Sequence, residues 1–182
     1  MNSPYFQSLL DTPAMKEYMD RIGEIVDEFK PQSILEIGTG YGASGSVFLD
    51  HGVKLLVTVD IKDVAREKAE IELHRKEGQT VEYILSDISL VRKSLLKRKF
   101  DLIYIDGNHT YEAVKKDIEM AHRMTKIILF DDYKHPNNFG VSPNEPFGVF
   151  QAVNEYLEKY PPKSMRVIPW NGNYNAFCFI QR

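Results

Sequence analysis

The segment ILEIGTGYGAS (34–44) concentrates residue types suited to holding a ligand. Gly38, Gly40 and Gly42 permit a sharp backbone turn and let a ligand approach the main chain within van der Waals distance. A helix that begins just after such a loop offers unpaired N–H groups to an anionic group. Farther along, acids recur at Asp60, Asp87, Asp106, Asp131 and Asp132, and His109 stands three residues beyond Asp106. Carboxylates accept hydrogen bonds and attract cations. An imidazole, titrating near ~6.5 when unperturbed, suits proton transfer from a hydroxyl at neutral pH. A loop histidine that only makes hydrogen bonds is an equal alternative for His109.

Each of these residues follows a short apolar run. The runs at 33–37, 54–59, 80–85, 100–105 and 126–130 are nearly continuous, as in strands covered on both faces. Helical stretches at 43–51, 63–77, 88–98 and 110–123 separate them, with Asp63 and Thr110 as N-caps and Gly78 as a C-cap. Ahead of them, Thr12-Pro13 opens an amphipathic helix through Met15, Met19, Ile22, Val26 and Phe29, which ends before Pro31. This alternation predicts an α/β fold, a Rossmann-like, doubly wound and mostly parallel sheet with helices on both faces. A helix at 148–159 precedes two last runs, 164–169 and 174–180, joined across Trp170-Asn171-Gly172-Asn173. That junction predicts an antiparallel hairpin as the end of a seven-stranded sheet. Ligands of such sheets bind beyond the carboxyl ends of the strands. Gly38 to Gly42, Asp60, Asp87, Asp106 to His109 and Asp131 to Tyr133 should therefore share one edge.

Composition sets the frame. The 182 residues suit one domain, with residues 1–30 as an N-terminal segment and helix and 31–182 as the core. Apolar residues form 43% of the chain and charged residues 27%, ordinary for a globular protein, and the net charge is -3. A nucleic-acid partner, which favours a strongly basic domain, is not expected. The one basic run, Arg92, Lys93, Lys97, Arg98 and Lys99, reads as a solvated helix face. Cys178 is the only cysteine, so no intrachain disulfide can form, and its apolar surroundings suggest a buried thiol. No apolar run approaches the ~20 residues of a membrane span, and MNSPYFQSLL lacks the features of a signal peptide, so a cytoplasmic protein is expected.

With Ala43 in third place, the loop also satisfies the relaxed dinucleotide pattern, so glycines alone leave the ligand open. Three features favour S-adenosylmethionine. Glu36 can face the cationic amino-acid end of that ligand, the third glycine follows at once as G-x-G-x-G, and the second half of the chain lacks another mononucleotide-binding unit. E-I-G-T-G-Y-G resembles the first motif of class I S-adenosylmethionine-dependent methyltransferases. The resemblance extends over residues 32–182. It implies cofactor contacts from Glu36, Gly38, Thr39, Gly40 and Gly42, with Asp60 and Ile61 at the ribose, Asp87 and Ile88 at the adenine, and Asp106 beside them.

FDLIYIDGNHTYEAVKKDIE (100–119) and KIILFDDY (126–133) resemble the metal-dependent O-methyltransferase branch that acts on catechols, caffeoyl thioesters and macrolide-type sugars. That likeness implies a divalent ion, Mg²⁺ or Mn²⁺, on Asp106, Asp131 and Asp132, and a small hydroxylated acceptor. Asp106 and His109 are the catalytic candidates. The catechol and caffeoyl enzymes carry a lysine where this chain has His109, a departure that leaves the identity of the base open. A hard cation would lower the pKa of the acceptor hydroxyl and fix its oxygen, and would relieve repulsion among the carboxylates. Aspartates that only accept hydrogen bonds, without a metal, are the alternative. A nucleotide-dependent oxidoreductase and a non-catalytic S-adenosylmethionine-binding protein are weaker fits. The segment 134–149 is either a substrate lid or a surface loop. Residues 1–11, with Pro4, Tyr5, Phe6, Leu9 and Leu10, either cover the site or meet a second copy of the chain in a homodimer.

Overall fold

The computed structural model describes residues 11–140, 147–172 and 174–182, together with Pro4, Gln7 and Ser8. Helix α1 (Pro13–Phe29) starts where the Thr12 hydroxyl accepts the Met15 N–H at 3.3 Å, and it stops at Lys30 in the left-handed conformation. The alternation then runs β1 (Ser33–Ile37), α2 (Ala43–Asp50), β2 (Leu55–Asp60), α3 (Ala65–His74), β3 (Thr80–Leu85), α4 (Ile88–Leu95), β4 (Leu102–Ile105), α5 (Tyr111–Met124) and β5 (Ile127–Phe130). Helix α6 (Val149–Lys159) and strands β6 (Ser164–Trp170) and β7 (Asn175–Gln181) complete it.

The strands form one sheet in the order β3-β2-β1-β4-β5-β7-β6. Only β7 opposes its neighbours, pairing antiparallel with both β5 and β6. Chain order reverses between β1 and β4, which creates the switch point at their carboxyl ends. Side chains alternate across the sheet. Ile34, Leu56, Leu102, Leu129 and Phe179 pack against α1, α2 and Ile71 of α3. Leu35, Val57, Ile103, Ile128 and Ile180 pack against α4, α5 and α6. Each such side chain contributes roughly 1.5–3 kcal/mol on burial, which explains why both faces of these strands are apolar.

The expected hairpin forms: Asn171 and Gly172 have φ of 53° and 60°, the left-handed pair an Asn-Gly turn needs. Trp170 belongs to β6 itself, and Asn173 lies outside the described residues. Two cap expectations need correction, while a third, Thr110, holds in position. Helix α3 begins at Ala65 behind Val64, so Asp63 does not cap it, and its C-cap is Arg75, leaving Gly78 in the turn before β3. Thr110 occupies the N-cap of α5 without a side-chain bond. Cys178 is buried, and burial pushes its thiol up to about 12. Among the described residues no helix is long and apolar enough to cross a membrane.

One contact fixes how the loop after β1 meets β4. Gly38 has φ of 95°, and a Cβ there would lie 2.2 Å from the Asp106 carbonyl oxygen. Gly38→Ala should therefore combine backbone strain with a clash that only main chain can relieve, costing about 3 kcal/mol or more. Gly78→Ala, also at positive φ but with open space around the new Cβ, should cost about 1 kcal/mol. Urea denaturation of the two variants checks the contrast.

Candidate active site

The loop 38–42 is tied down from behind. Gly38 N–H donates to Val59 at 2.8 Å, and Asp60 Oδ2 accepts the N–H groups of Thr39 at 3.0 Å and Gly40 at 3.3 Å. Asp60 Oδ1 accepts from Lys62 N–H at 2.8 Å. Gly40 is exposed, and nothing lies within 4 Å of the Cβ it lacks, so the outer side of the loop is open. Thr39, Asp60, Ile84 and Leu85 line a shallow cleft there, and Ile61, 66% exposed, stands at its rim beside Asp60.

Glu36 lies beneath this loop rather than on its open side. Its carboxyl is fully buried and accepts from the Ser44 hydroxyl at 2.5 Å and the Thr58 hydroxyl at 2.6 Å. Thr58 in turn sits 2.7 Å from the Thr39 hydroxyl. Burial pushes Glu36 up to about 7, against the pull of the two hydroxyls, and the Asp60 charge adds to the rise. The expectation that Glu36 faces a cationic ligand group is thus corrected: Ser44 on α2 and Thr58 on β2 turn it inward, where it locks the loop. Asp87 is exposed and caps α4, accepting Ser89 N–H at 2.8 Å, a bond that holds its carboxyl below the usual range. Ile88 packs on the core.

The second group of residues converges at the ends of β4 and β5. Tyr104 and Asp106 share a strand face, and the Tyr104 hydroxyl donates to Asp106 at 3.4 Å. The Tyr18 hydroxyl of α1 joins this chain 2.7 Å from that of Tyr104. Strand β5 stops at Phe130; Asp131 is buried and accepts Asp132 N–H at 2.8 Å, and Asp132 takes φ of 55°. That turn brings Asp132 toward the same place as Asp106, as departure from the strand at Asp131 requires. His109 spans the two, with Nε2 3.3 Å from Asp106 and Nδ1 3.4 Å from Asp132. The Asn175 amide also donates to Asp132.

Charge is poorly balanced here. Burial first, and then the charges of Asp132 and Glu36, drive Asp106 well above the usual carboxylate range. Burial first, and then Asp106 and Asp132, do the same to Asp131. His109 Nε2 is buried without a hydrogen-bond partner. An all-oxygen donor set with excess negative charge has the chemistry of a site for a hard cation. Among the described residues, however, no three such side chains stand close enough together to hold an ion as they are.

Sequence reasoning did not single out Tyr18, Ser44, Thr58, Tyr104 or Asn175 as site residues. Tyrosines at helix and strand positions read as core, and only the fold shows that their hydroxyls meet. The Phe147 ring, 4.7 Å from that of His109 and 4.7 Å from that of His135, adds an aromatic wall. Residues 141–146 of the expected lid, and Tyr5, Phe6, Leu9 and Leu10 of the N-terminal segment, lie outside the described residues.

A family model described as "Methyltransferase domain" matches residues 35–133. The mitochondrial ribosome assembly protein RSM22 of Saccharomyces cerevisiae is 26% identical over 186 residues, 93% of this chain. The chain spans only 28% of the length of that protein. Among solved structures, an O-methyltransferase of Bacillus cereus in complex with SAH superimposes with a TM-score of 0.71 at 16% identity, covering 91% of this chain and 80% of that one. The O-methyltransferase TomG of Streptomyces achromogenes, involved in tomaymycin synthesis and in complex with SAM, gives 0.65 at 18% identity, covering 97% and 93%. At these identities the structural matches establish the shared fold.

The buried Glu36 makes stability depend on pH. Its pKa rises from 4.5 to about 7 on folding, so the folded state favours the protonated form. The contribution is fully present below pH 4.5 and is lost as pH rises through about 7. The loss is on the order of 3 kcal/mol. Urea denaturation at pH 5 and pH 8 should show a smaller drop in Glu36→Gln than in the unaltered protein. An equal drop in both would assign the pH dependence to other groups.

Proposed function

Because the chain belongs to the methyltransferase-domain family, we propose that it moves the methyl group of S-adenosylmethionine to a hydroxyl oxygen of a small acceptor of the sugar or phenol/catechol type. The observation that carries this reading is the contact between Gly38 and Asp106. It joins the open glycine loop and the acid group into one floor at the ends of β1 and β4. In this reading residues 1–182 act as one methyltransferase domain.

Gly38, Thr39, Gly40 and Gly42 offer main chain to the amino-acid end of the cofactor. Asp60 and Ile61 take the ribose, and Asp87 and Ile88 the adenine. Asp60 already holds loop amides, so its carboxylate would fix the loop and the ribose together. Transfer is an in-line displacement: the acceptor oxygen bonds to the methyl carbon as the carbon–sulfur bond breaks, and sulfur keeps the electron pair as a thioether. Alignment of the two reactants supplies much of the acceleration. His109 Nε2, buried without a hydrogen bond, accepts the hydroxyl proton. Asp132, 3.4 Å from the other ring nitrogen Nδ1, orients that ring, and Asp106, held by the Tyr18–Tyr104 pair, lies 3.3 Å from Nε2 and stabilises the charge that forms there.

The crowded carboxylates favour a metal-assisted form of the reaction, in which Asp106, Asp131 and Asp132 would hold Mg²⁺ or Mn²⁺. When bound, such an ion lowers the pKa of the acceptor hydroxyl and fixes its oxygen. A metal-independent form is favoured by one observation: the imidazole of His109 already stands between Asp106 and Asp132. There the aspartates would act as hydrogen-bond acceptors alone.

Calorimetric titration with S-adenosylmethionine tests the cofactor half. Gly40→Val should abolish binding by filling the open side of the loop. Asp60→Ala should weaken it by about tenfold or more through lost charge-assisted bonds. Unchanged affinity in both variants would remove the cofactor from this loop. The acceptor half is read from methyl transfer to a panel of catechols, phenols and sugars. His109→Ala and Asp131→Ala should lower kcat by about 10²-fold or more and leave cofactor affinity intact. Chelation should stop turnover and Mg²⁺ or Mn²⁺ restore it; full turnover after exhaustive chelation selects the metal-independent form.

A further inference from the structure

A cleft of about 470 Å³ lies between α4, α5 and α6, on the sheet face opposite α1–α3. It extends to the far end of α5 from Asp106 and His109. His122 and Arg123 occupy the last turn of that 14-residue helix, which is roughly 21 Å long. The floor is apolar, built from Ile118, Ala152 and Tyr156, all buried. The rim carries four cations, Arg92, Lys115, Arg123 and Lys159, and two acids, Glu119 and Glu155.

Both acids are already engaged. Glu119 lies 3.6 Å from Arg92. Glu155 accepts from the Tyr111 hydroxyl at 2.5 Å and the Gln151 amide at 2.9 Å, and lies 3.9 Å from Lys115. Arg123 and Lys159 have no carboxylate partner among the described residues. Aromatic rings stand beside them: the His122 and Tyr160 centroids are 4.5 Å apart, and Tyr156 is 5.3 Å from Tyr160.

Basic side chains at helix C-termini are ordinarily explained by the helix dipole. That accounts for Arg123 and Lys159 singly. It does not account for Lys115, in the second turn of α5, or for a cleft with an apolar floor and a charged rim, of a size that takes a small molecule. The local field is also positive in a chain of net charge -3. After burial, it is Arg182, Arg123 and Lys159 that hold the His122 imidazole below its ordinary value.

We propose that this cleft is a second ligand site, separate from the glycine loop, for a phosphomonoester that carries a flat ring. The dianion matches the two cations that lack a carboxylate partner, Arg123 and Lys159, the latter 5.2 Å over the Tyr160 ring, and the planar guanidinium of Arg123 suits phosphate oxygens. The ring lies on the apolar floor against Tyr160 and His122.

The test is an NMR titration of the full chain, with labelled histidine and the glycine-loop site saturated by S-adenosylhomocysteine. Phenyl phosphate is the probe, with inorganic phosphate and phenol as separate arms. Phenyl phosphate should shift the His122 ring signals saturably and raise the His122 pKa by about one unit, because a bound dianion offsets the surrounding cations. Arg123→Glu with Lys159→Glu, both at exposed positions, should weaken phenyl phosphate at least tenfold while the amide spectrum stays that of the folded chain, the unfolding temperature falling only by the few degrees that two reversed charges at helix C-termini cost. Binding of inorganic phosphate as tight as that of phenyl phosphate would overturn the ring requirement. No saturable shift of His122, or the same shift in the charge-reversed variant, would overturn the site.

Discussion

Gly38 rests its Cα on the backbone of Asp106, an approach that no residue with a Cβ could make. Much of the chemistry depends on that contact. It draws the loop after β1 onto the end of β4 at the point where strand order reverses, so the glycine backbone and the acid group share one surface. Asp60 from β2 then pins the loop through Thr39 and Gly40, and Glu36 braces it from below through Ser44 and Thr58. Four elements thus converge on five loop residues, and the outer side at Gly40 stays open.

The same edge stores electrostatic tension. Glu36, Asp106 and Asp131 are each pushed up, chiefly by burial, with neighbouring carboxylates adding to the rise. Buried carboxyls without a countercharge are costly to ionise, so such a group is retained at a cost to stability. Proton sharing, a cation or a charged ligand would each relieve it. A sulfonium cofactor is positively charged, so the edge that the fold leaves open is also the one with the favourable sign.

Much of this was legible in the residues. Near-continuous apolar runs reported strands covered on both faces, and Asn171-Gly172 reported the hairpin through the left-handed backbone those two residues supply. Aspartates placed just after strands reported the carboxyl edge of the sheet, where Asp60, Asp106, Asp131 and Asp132 lie. Less visible was the direction in which each carboxyl turns. Glu36 faces inward because Ser44 and Thr58, eight and 22 residues away, offer hydroxyls that a linear pattern does not reveal. Asp87 caps a helix, and Tyr18 reaches Tyr104 across 86 residues. The cleft among α4, α5 and α6 escaped for the same reason. Arg92 read as part of a solvated run, and only helix packing sets it beside Arg123 and Lys159.

The most direct measurement is a crystal structure of the chain with S-adenosylhomocysteine, grown in the presence of Mn²⁺ so that anomalous scattering can locate an ion. The account predicts the amino-acid end of the ligand on Gly38 to Gly42, its ribose at Asp60, and its sulfur directed toward Asp106 and His109. An ion, if bound, should lie on Asp106, Asp131 and Asp132. A ligand seated away from the glycine loop, or a sulfur directed away from Asp106 and His109, would contradict it.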